Sequence, residues 1–284
     1  MDNGILTKIK HGYDTFKPSE KKVAKFILKN TNDIPNFSIM ALANKCHTSE
    51  ASVIRFCRTL GLKGYQDLKL AISLEISKKK DDKQIIHDQI NIEDSTSDIL
   101  EKISMGSVKA IEDTKEIINI ELLKEAIEAI NDAEKIYLFS VGASSVVALD
   151  AQYKFTRINI PTVLYLDSHM QLTSAVHVTE KDVAIGISNS GNTKDVIKCL
   201  NIAKSNGAKT ISITQYGRSP ILEASDITLF TAHVENNFRS GAMGSRIAQL
   251  NIIDSLFIGV ACKRYDEVIK HLKDTREVLK DKQF

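Results

Sequence analysis

Two stretches rich in serine, threonine and glycine have the composition of an anion-binding site. They read SVGASSV at residues 140–146 and ISNSGNT at residues 187–193. Each follows an apolar run typical of a buried strand and precedes a helical pattern, an arrangement in which backbone N–H groups and a helix dipole meet an anion. The stretches therefore predict a phosphate site at the carboxyl ends of parallel strands, where open α/β sheets bind ligands. Its candidate residues are Ser144, Ser145, Ser188, Ser190, Gly191 and Thr193.

The composition of these stretches also limits the chemistry. One glycine- and serine-rich turn is often only a turn, but two in one predicted sheet, each with several hydroxyls, favour a binding role. Neither stretch contains a lysine, and the pattern G-x-x-x-x-G-K-[ST] is absent from the sequence. Hydrolysis of nucleoside triphosphates is therefore not expected.

The cysteines and histidines do not predict a metal site. Cys46, Cys57, Cys199 and Cys262 form no C-x-x-C pair, and no histidine cluster has metal-ligand spacing. All four cysteines lie in apolar helical patterns, so we expect them to pack in the core. The sequence predicts no metal and no cofactor.

Residues 49–64, SEASVIRFCRTLGLKG, read as a short helix with a polar, basic outer face. Ser38 is suited to cap a preceding helix, and residues 46–48 form a turn between the two. This is the layout of a DNA-reading helix-turn-helix, in which arginine is the favoured partner of guanine and flanking residues contact phosphates. The predicted inward-facing residues are Val53, Ile54, Cys57 and Leu60. The candidate DNA-contacting residues are Ser49, Ser52, Arg55, Arg58, Lys63 and Tyr65.

The charge is divided unevenly along the chain. Residues 1–80 hold 15 basic and 7 acidic side chains, whereas the remaining residues hold 23 basic and 29 acidic side chains. A net charge of +8 in front and −6 behind indicates that only the front end faces a polyanion. Charge alone leaves a second interpretation open, a helical interaction domain with a well-solvated lysine surface.

The coarse pattern changes after the first part of the chain. Residues 1–77 carry helix signals, residues 78–97 read as a charged linker, and residues 98–284 alternate strands with helices. We expect strands near residues 135–141, 162–166, 182–188, 210–214 and 227–231, with a long helix over 245–263. The prediction is an all-α helix-turn-helix domain followed by an α/β doubly wound parallel-sheet domain.

The bulk properties are those of a globular protein with two domains. The chain has 284 residues, of which 43% are hydrophobic and 26% charged. No uninterrupted apolar run approaches the roughly 18 residues of a membrane helix, and the start MDNGILTKIK has no signal-peptide core. We expect a cytoplasmic protein without a membrane partner.

The front segments KPSEKKVAKFILKN and FSIMALANKCHTSEASVIRFCRTLGLKGYQDLKLAI resemble the helix-turn-helix of the RpiR family of bacterial transcription regulators. The likeness covers nearly all of residues 1–77. It implies that the segment containing Ser49, Ser52, Arg55 and Lys63 faces DNA.

Residues 98–270 resemble the SIS domain, the sugar isomerase module that binds phosphosugars in a flavodoxin-like sandwich. The S-x-S-G-x-T pattern after an apolar strand and the segment NNFRSGAMGSRIAQLNIIDSLF carry this likeness. It implies that Ser144, Ser188, Ser190 and Thr193 hold the phosphate. It also implies that Ser240 and Ser245 lie near the sugar. Arg239 and Arg246 are either anion partners or members of structural salt bridges.

The same resemblance raises the choice between an enzyme and a sensor. Isomerisation needs a positioned base, and the candidates are His169, His177, His233 and Glu235, each with a structural interpretation beside it. In isomerases of this type the closing helix commonly brings a glutamate into the site, whereas here it reads GSRIAQL. We therefore expect a non-enzymatic regulator of genes for amino sugar or carbohydrate phosphate metabolism, controlled by a phosphosugar.

Two other functions stay open at this point. One is a sugar-phosphate aldose–ketose isomerase with a helical accessory domain, and the other is an etherase or lyase containing a SIS domain. For the regulator, the expected partners are double-stranded operator DNA and a phosphosugar effector. A homodimer or homotetramer is also expected because helix-turn-helix proteins read two half-sites.

Overall fold

The computed structural model describes residues 4–78, 93–232, 242–278 and 280. The chain divides into two compact units. The first contains the chain up to Ile117, with residues 216–218 and 232, and the second contains most of the chain from Ile118 onward.

The first unit is helical. Its helices are α1 (Ile5–His11), α2 (Pro18–Lys29), α3 (Ile39–Lys45), α4 (Glu50–Thr59), α5 (Tyr65–Lys78) and α6 (Thr96–Ile117). Pro18 begins α2, and the Glu20 carboxylate accepts a hydrogen bond of 3.0 Å from the Lys17 N–H just before it. One apolar cluster unites α1 to α5; its fully buried members include Ile9, Val23, Ile27, Leu42, Val53, Phe56 and Leu68.

Helix α6 groups with the first unit, whereas the sequence pattern assigned residues 98–284 to the second domain. A buried hydrogen bond joins α1 to α6, with His11 Nε2 2.9 Å from Asp113 Oδ2. Lys109 Nζ lies 2.6 Å from the other oxygen of Asp113. Of the predicted linker, the structure describes residues 78 and 93–97, and residues 96–97 already belong to α6. The domain bounds stay a prediction.

The second unit is a five-stranded parallel sheet with helices on both faces. The strands are β1 (Ile136–Ser140), β2 (Thr162–Leu164), β3 (Val183–Ile187), β4 (Lys209–Gln215) and β5 (Ile227–Thr231), in the order β2-β1-β3-β4-β5. The helices are α7 (Ile120–Asp132), α8 (Ser144–Arg157), α9 (Ser168–Ala175), α10 (Lys194–Ser205), α11 (Ile221–Ala224), α12 (Met243–Lys263) and α13 (Tyr265–Val278). The predicted fold class, a helical front end and a doubly wound parallel sheet, is confirmed.

Two apolar clusters lie on the two faces of the sheet. One joins α7, α8 and α12 to inward residues such as Ile185 and Ile213, and the other joins α9, α10 and α11 to residues such as Ala184. All five residues of β1 and all five of β3 are buried, which is the burial expected of central strands in a sheet covered on both faces.

Two features differ from the sequence expectations. Cys46, Cys57 and Cys199 are buried, but Cys262 is exposed because it lies on the outer side of α12. Helix α12 is long and apolar enough to cross a membrane by length and composition, whereas the sequence predicts no apolar run of membrane length. Its buried stripe, which includes Ile252, Ile253 and Leu256, packs in the sheet core of the second unit, as in the core helix of a globular domain.

Candidate functional site

The first candidate site is the turn between α3 and α4. Ser38 caps α3 by accepting from the Ala41 N–H at 3.1 Å. The chain then reverses through His47, whose φ of 48° lies in the left-handed region. The Thr48 N–H donates back to the Ala43 carbonyl at 3.0 Å, a bond typical of a tight helix end. These bonds fix the start of α4 close to the end of α3.

The polar side chains of α4 form a connected row along one face. Ser49 caps the helix, and its hydroxyl lies 3.0 Å from the Ser52 hydroxyl. Arg55 Nη2 donates to the same Ser52 oxygen at 2.8 Å. Arg55 is exposed, so the row holds its guanidinium in one direction while most of its five donors stay accessible. An arginine arranged in this way is suited to a guanine edge or a phosphate.

Arg58 and Lys63 are exposed, as expected for DNA-contacting residues. Ser52 differs from the expectation, because it is 4% exposed and its hydroxyl is already bonded within the helix. The Ser52 hydroxyl orients Arg55 by accepting the hydrogen bond from Arg55 Nη2, and the DNA contact of Ser52 stays a prediction. The buried face of α4 also differs from the predicted inward-facing residues. Phe56, which was not among them, is fully buried, whereas Ile54 is only partly buried.

The DNA contact of Tyr65 also stays a prediction, but the structure shows an interior hydrogen bond for this residue. Its side chain is buried, and its hydroxyl donates to the Phe37 carbonyl at 3.0 Å. Burial raises the pKa of Tyr65 to about 12, so the hydroxyl stays a donor. The residue follows the predicted reading helix in sequence, but its hydroxyl faces the interior and holds two segments of the first unit together.

Buried contacts fix α4 against α2. The Thr59 hydroxyl donates to Glu20 Oε1 at 2.8 Å, and Glu20 is 2% exposed. Burial alone would raise the pKa of Glu20, but the hydrogen bonds from the Lys17 N–H and the Thr59 hydroxyl lower it below its ordinary value. The carboxylate is thus charged and bonded at neutral pH. The bond between Thr59 and Glu20 therefore holds α4 in place on α2 while the polar face of α4 stays exposed.

The second candidate site lies at the carboxyl edge of the sheet. Ser140 at the end of β1 is paired in register with Ile187 at the end of β3. The two serine-rich loops that follow these strands therefore begin side by side, at the point where the strand order reverses. Open α/β sheets bind ligands at this topological switch point.

In the first loop, Gly142 has φ of 63° and the chain enters α8 at Ser144. Ser144 and Ser145 are partly exposed. The Ser140 hydroxyl donates to the Ser145 hydroxyl oxygen at 3.3 Å, which leaves the Ser145 O–H directed elsewhere. No side chain caps the start of α8. No side chain therefore covers the first N–H groups of α8. In α4, by contrast, the Ser49 hydroxyl accepts from the Ser52 N–H.

In the second loop, the Ser188 and Thr193 hydroxyls lie 2.8 Å apart. The Asn192 N–H donates to the Ser190 hydroxyl at 3.2 Å, which shapes the turn. Ser190 is exposed, and no side chain caps the start of α10 after Thr193. The loop therefore presents hydroxyls and a helix start at the same edge as the first loop.

Only glycine fits at position 191 without strain, because the backbone is left-handed and neighbouring side chains fill the space of a Cβ. Its φ is 64°, and a Cβ there would lie 2.6 Å from Ser219 Cβ and 2.9 Å from Thr214 Oγ1. The Gly191 carbonyl accepts from the Ile221 N–H at 3.1 Å. The second loop is thus pressed against the segment that follows β4, which the sequence pattern did not include in the site.

Three residues that the sequence pattern missed help to build this edge. Gln171 of α9 is 1% exposed, accepts from the Ser140 N–H at 3.0 Å and donates to the Ser140 carbonyl at 2.8 Å. It supplies the bonds on the side of β1 where β2 has already ended at Leu164. Asn189 Oδ1 and Ser219 Oγ are buried without a hydrogen-bond partner in the protein. Gln171 and Ser219 lie outside any motif, so only their positions in the fold reveal them.

The remaining candidates are distributed as follows. Ser245 lies in the first turn of α12 and is fully buried. Arg246 beside it is partly exposed. His169 and His177 are exposed. The candidates outside the described residues are Ser240, Arg239, His233 and Glu235. Among the described residues, no group of three His, Cys, Asp or Glu side chains is placed to hold a metal ion.

A groove of about 740 Å³ runs along the outer side of α10. Its lining includes Asn192, Lys198 and Pro220 but none of the serine and threonine hydroxyls of the two loops. It is open to solvent and does not coincide with the edge where the loops meet. We therefore distinguish it from the anion site.

Comparison with known proteins identifies both units. Residues 3–79 match the helix-turn-helix domain of the RpiR family, and residues 129–259 match the SIS domain. An uncharacterized HTH-type transcriptional regulator of Caldanaerobacter subterraneus subsp. tengcongensis is 48% identical over 97% of this chain and 96% of its own length. The HTH-type transcriptional regulator YbbH of Bacillus subtilis is 33% identical over 97% of this chain and 95% of its own length.

A solved structure matches the chain over nearly its full length. The Vibrio vulnificus NanR protein complexed with ManNAc-6P is 28% identical, has a TM-score of 0.62, and is matched over 99% of this chain and 100% of that one. The Caldanaerobacter and Bacillus relatives are both matched over nearly their full length and are named HTH-type transcriptional regulators. The chain belongs to the RpiR family of HTH-type transcriptional regulators, with a SIS domain behind its helix-turn-helix.

Proposed function

We propose that this regulator binds operator DNA through α4 and that a phosphosugar held at the edge of the sheet sets its DNA affinity. The observation that carries the proposal is the pairing of two hydroxyl-rich loops at the switch point, each leading into a helix start that no side chain caps. Such a site suits a phosphate group. The likeness to NanR, whose structure holds ManNAc-6P, supports an amino sugar phosphate or a related compound as the effector.

The proposed control is thermodynamic linkage. A phosphosugar that binds one arrangement of the chain better than another shifts the population toward it and changes DNA affinity by the same factor that DNA changes effector affinity. Couplings of this kind are about 5- to 150-fold. The proposal includes a homodimer or homotetramer acting in the cytoplasm, because two reading helices about one DNA turn apart are needed for a two-fold operator.

We propose further that the SIS domain senses its ligand without transforming it. The first turns of α12 read MGSRIAQLNII and hold no carboxylate, and His169 and His177 are exposed rather than enclosed beside the loops. A positioned base is needed for aldose–ketose interconversion. Incubation with sugar phosphates and detection of the isomers tests this point, and turnover comparable to that of an isomerase would contradict it.

The experiment measures binding to the DNA upstream of the protein's own operon at several salt concentrations, with and without a panel of sugar phosphates. Arg55→Ala is expected to weaken DNA binding and to lower the salt slope by about 1, because one phosphate or base contact is lost. Ser190→Ala is expected to preserve ligand-free DNA binding and to weaken the response to the sugar phosphate.

Two matched controls complete the experiment. Arg157→Ala removes an exposed arginine at the end of α8, and Ser205→Ala removes an exposed hydroxyl at the end of α10. Both controls should behave like the wild type in both assays. Equal loss of DNA binding and ligand response in Arg55→Ala or Ser190→Ala would refute separate sites for the two ligands.

A further inference from the structure

Two buried polar side chains on α12 have atoms without a partner. Ser245 is fully buried and Gln249 is 2% exposed, and neither Ser245 Oγ nor Gln249 Nε2 has a hydrogen bond in the protein. They are four residues apart and therefore lie one above the other on the same face of the helix. Buried amides and hydroxyls are nearly always hydrogen-bonded, so this pair needs an explanation.

The direction of α12 places the pair at the ligand-binding edge. At the end of α12, Arg264 Nε donates to Asn131 Oδ1 at 3.0 Å. Asn131 ends α7 just before β1 begins at Ile136, so α12 ends at the amino edge of the sheet. Gln249 lies 15 residues earlier, about 22 Å away along the helix. A strand of five residues spans only about 17 Å, so Gln249 and Ser245 lie at the carboxyl edge.

Contacts between α8 and α12 support this position of Ser245 and Gln249 at the carboxyl edge of the sheet. Lys154 Nζ in α8 lies 2.5 Å from Asp254 Oδ1 in α12, and the rings of Phe155 and Phe257 meet edge to face at 6.0 Å. The two helices therefore run in the same direction on the same face of the sheet. Since α8 begins at Ser144, ten residues before Lys154, its start is level with the start of α12.

The described buried side-chain atoms of the second unit that lack a hydrogen-bond partner thus lie at the carboxyl edge of the sheet. Asn189 Oδ1 is part of the second serine-rich loop, and Ser219 Oγ lies against Gly191 in that loop. Ser245 Oγ and Gln249 Nε2 approach the same edge from α12. These four are the buried side-chain atoms without a partner in the described part of the chain.

We propose that Gln249, supported by Ser245, reads the sugar part of the effector by donating from its amide to a hydroxyl or carbonyl oxygen of a phosphosugar. The inference rests on the proposed function and adds a specific hydrogen-bond donor for the sugar end of the site. The two loops hold the phosphate, and the first turns of α12 hold the uncharged end. An amide binds a neutral oxygen without exchanging a proton with it, which is the property that a sensor of an intact sugar requires.

The proposal makes two opposite predictions for Gln249→Met, which keeps the length of the side chain and removes the amide. In the free protein the substitution removes an unsatisfied buried donor, so the Tm should stay unchanged or rise. The affinity for a phosphosugar should fall about 5- to 150-fold, the range for loss of one buried hydrogen bond. A purely structural glutamine would not move the two readouts in opposite directions.

The experiment uses the full chain and measures thermal shifts and titration calorimetry. The probes are inorganic phosphate, glucose 6-phosphate, N-acetylglucosamine 6-phosphate and N-acetylmannosamine 6-phosphate. Gln249→Met should weaken the tightest of the three sugar phosphates and leave the effect of inorganic phosphate unchanged. Asn251→Met, two residues along and on the opposite side of α12, should preserve both. If Gln249→Met fails to fold, Gln249→Leu tests the same point, because it also removes the amide donor and introduces no charge.

The outcomes separate this inference from the proposed function. If the wild type binds a sugar phosphate and Gln249→Met binds it equally well, the inference is wrong and the effector site stands. The inference is also wrong if inorganic phosphate and the sugar phosphate lose affinity by the same factor. If the wild type responds to none of the four probes, the effector site itself is refuted, and the inference with it.

Discussion

A pair of glycine substitutions tests whether the second loop is as tightly packed as the structure indicates. Gly142 and Gly191 have nearly equal positive φ values, 63° and 64°. An alanine at either position would cost about 1–2 kcal/mol for the left-handed backbone. A Cβ at Gly142 meets nothing within 4 Å, whereas a Cβ at Gly191 lies 2.6 Å from Ser219 Cβ and 2.9 Å from Thr214 Oγ1. Gly142→Ala is therefore the matched control for the backbone cost.

The steric overlap should add about 1–3 kcal/mol at Gly191 alone, the usual cost of an overpacked site. Gly191→Ala should thus destabilise the second unit by about 2–5 kcal/mol, and Gly142→Ala by about 1–2 kcal/mol. At about 2–4 °C per kcal/mol for a domain of this size, the two variants should differ in Tm by roughly 2–12 °C. Scanning calorimetry, with circular dichroism as a second probe, measures the difference.

A second substitution tests the named contact. Ser219→Gly removes the Cβ and the hydroxyl that the new methyl group would meet, so in the Gly191→Ala background it should recover part of the lost stability. A double-mutant cycle should give a favourable coupling of about 1–2 kcal/mol. Equal Tm values for Gly142→Ala and Gly191→Ala, or additive effects in the cycle, would refute the packing argument.

Three further predictions follow from buried contacts. Tyr65→Phe removes the bond to the Phe37 carbonyl and should cost about 1–3 kcal/mol of stability while leaving the DNA affinity of the folded protein unchanged; weaker DNA binding by the folded variant would identify the Tyr65 hydroxyl as a DNA contact. Gln171→Leu leaves the Ser140 N–H and carbonyl without their partners and should cost about 2–4 kcal/mol and weaken phosphosugar binding, as measured by calorimetry. Burial raises the pKa of Asp113, but its bonds to His11 and Lys109 outweigh this and lower it below the ordinary value of 3.8, so its contribution to stability is fully present above about pH 5 and disappears as the pH falls through and below 4. The Tm difference between the wild type and Asp113→Asn should accordingly shrink as the pH falls below 4, and a difference that grows between pH 5 and pH 3 would contradict the assignment.

The sequence by itself determined the elements and their order. Largely apolar runs rich in β-branched residues predicted all five strands, because the strands of a parallel sheet covered by helices on both faces are mostly buried. Ser38 and Ser49 predicted the starts of α3 and α4, because a cap depends only on residues three positions away. The serine-rich loops after β1 and β3 were likewise visible, since the residues that shape a tight turn are neighbours in the chain. Local interactions can be read from local sequence.

The tertiary structure decided which side chains meet. Tyr65 follows the reading helix in sequence, yet its hydroxyl bonds to a carbonyl 28 residues earlier. Gln171 lies 31 residues from the Ser140 peptide that it completes. Gln249 belongs to the closing-helix segment GSRIAQL in the sequence, but only the structure shows that it is buried with an amide nitrogen that has no hydrogen-bond partner. Burial and hydrogen bonding at long sequence separation depend on how the elements pack, and no local pattern encodes that packing.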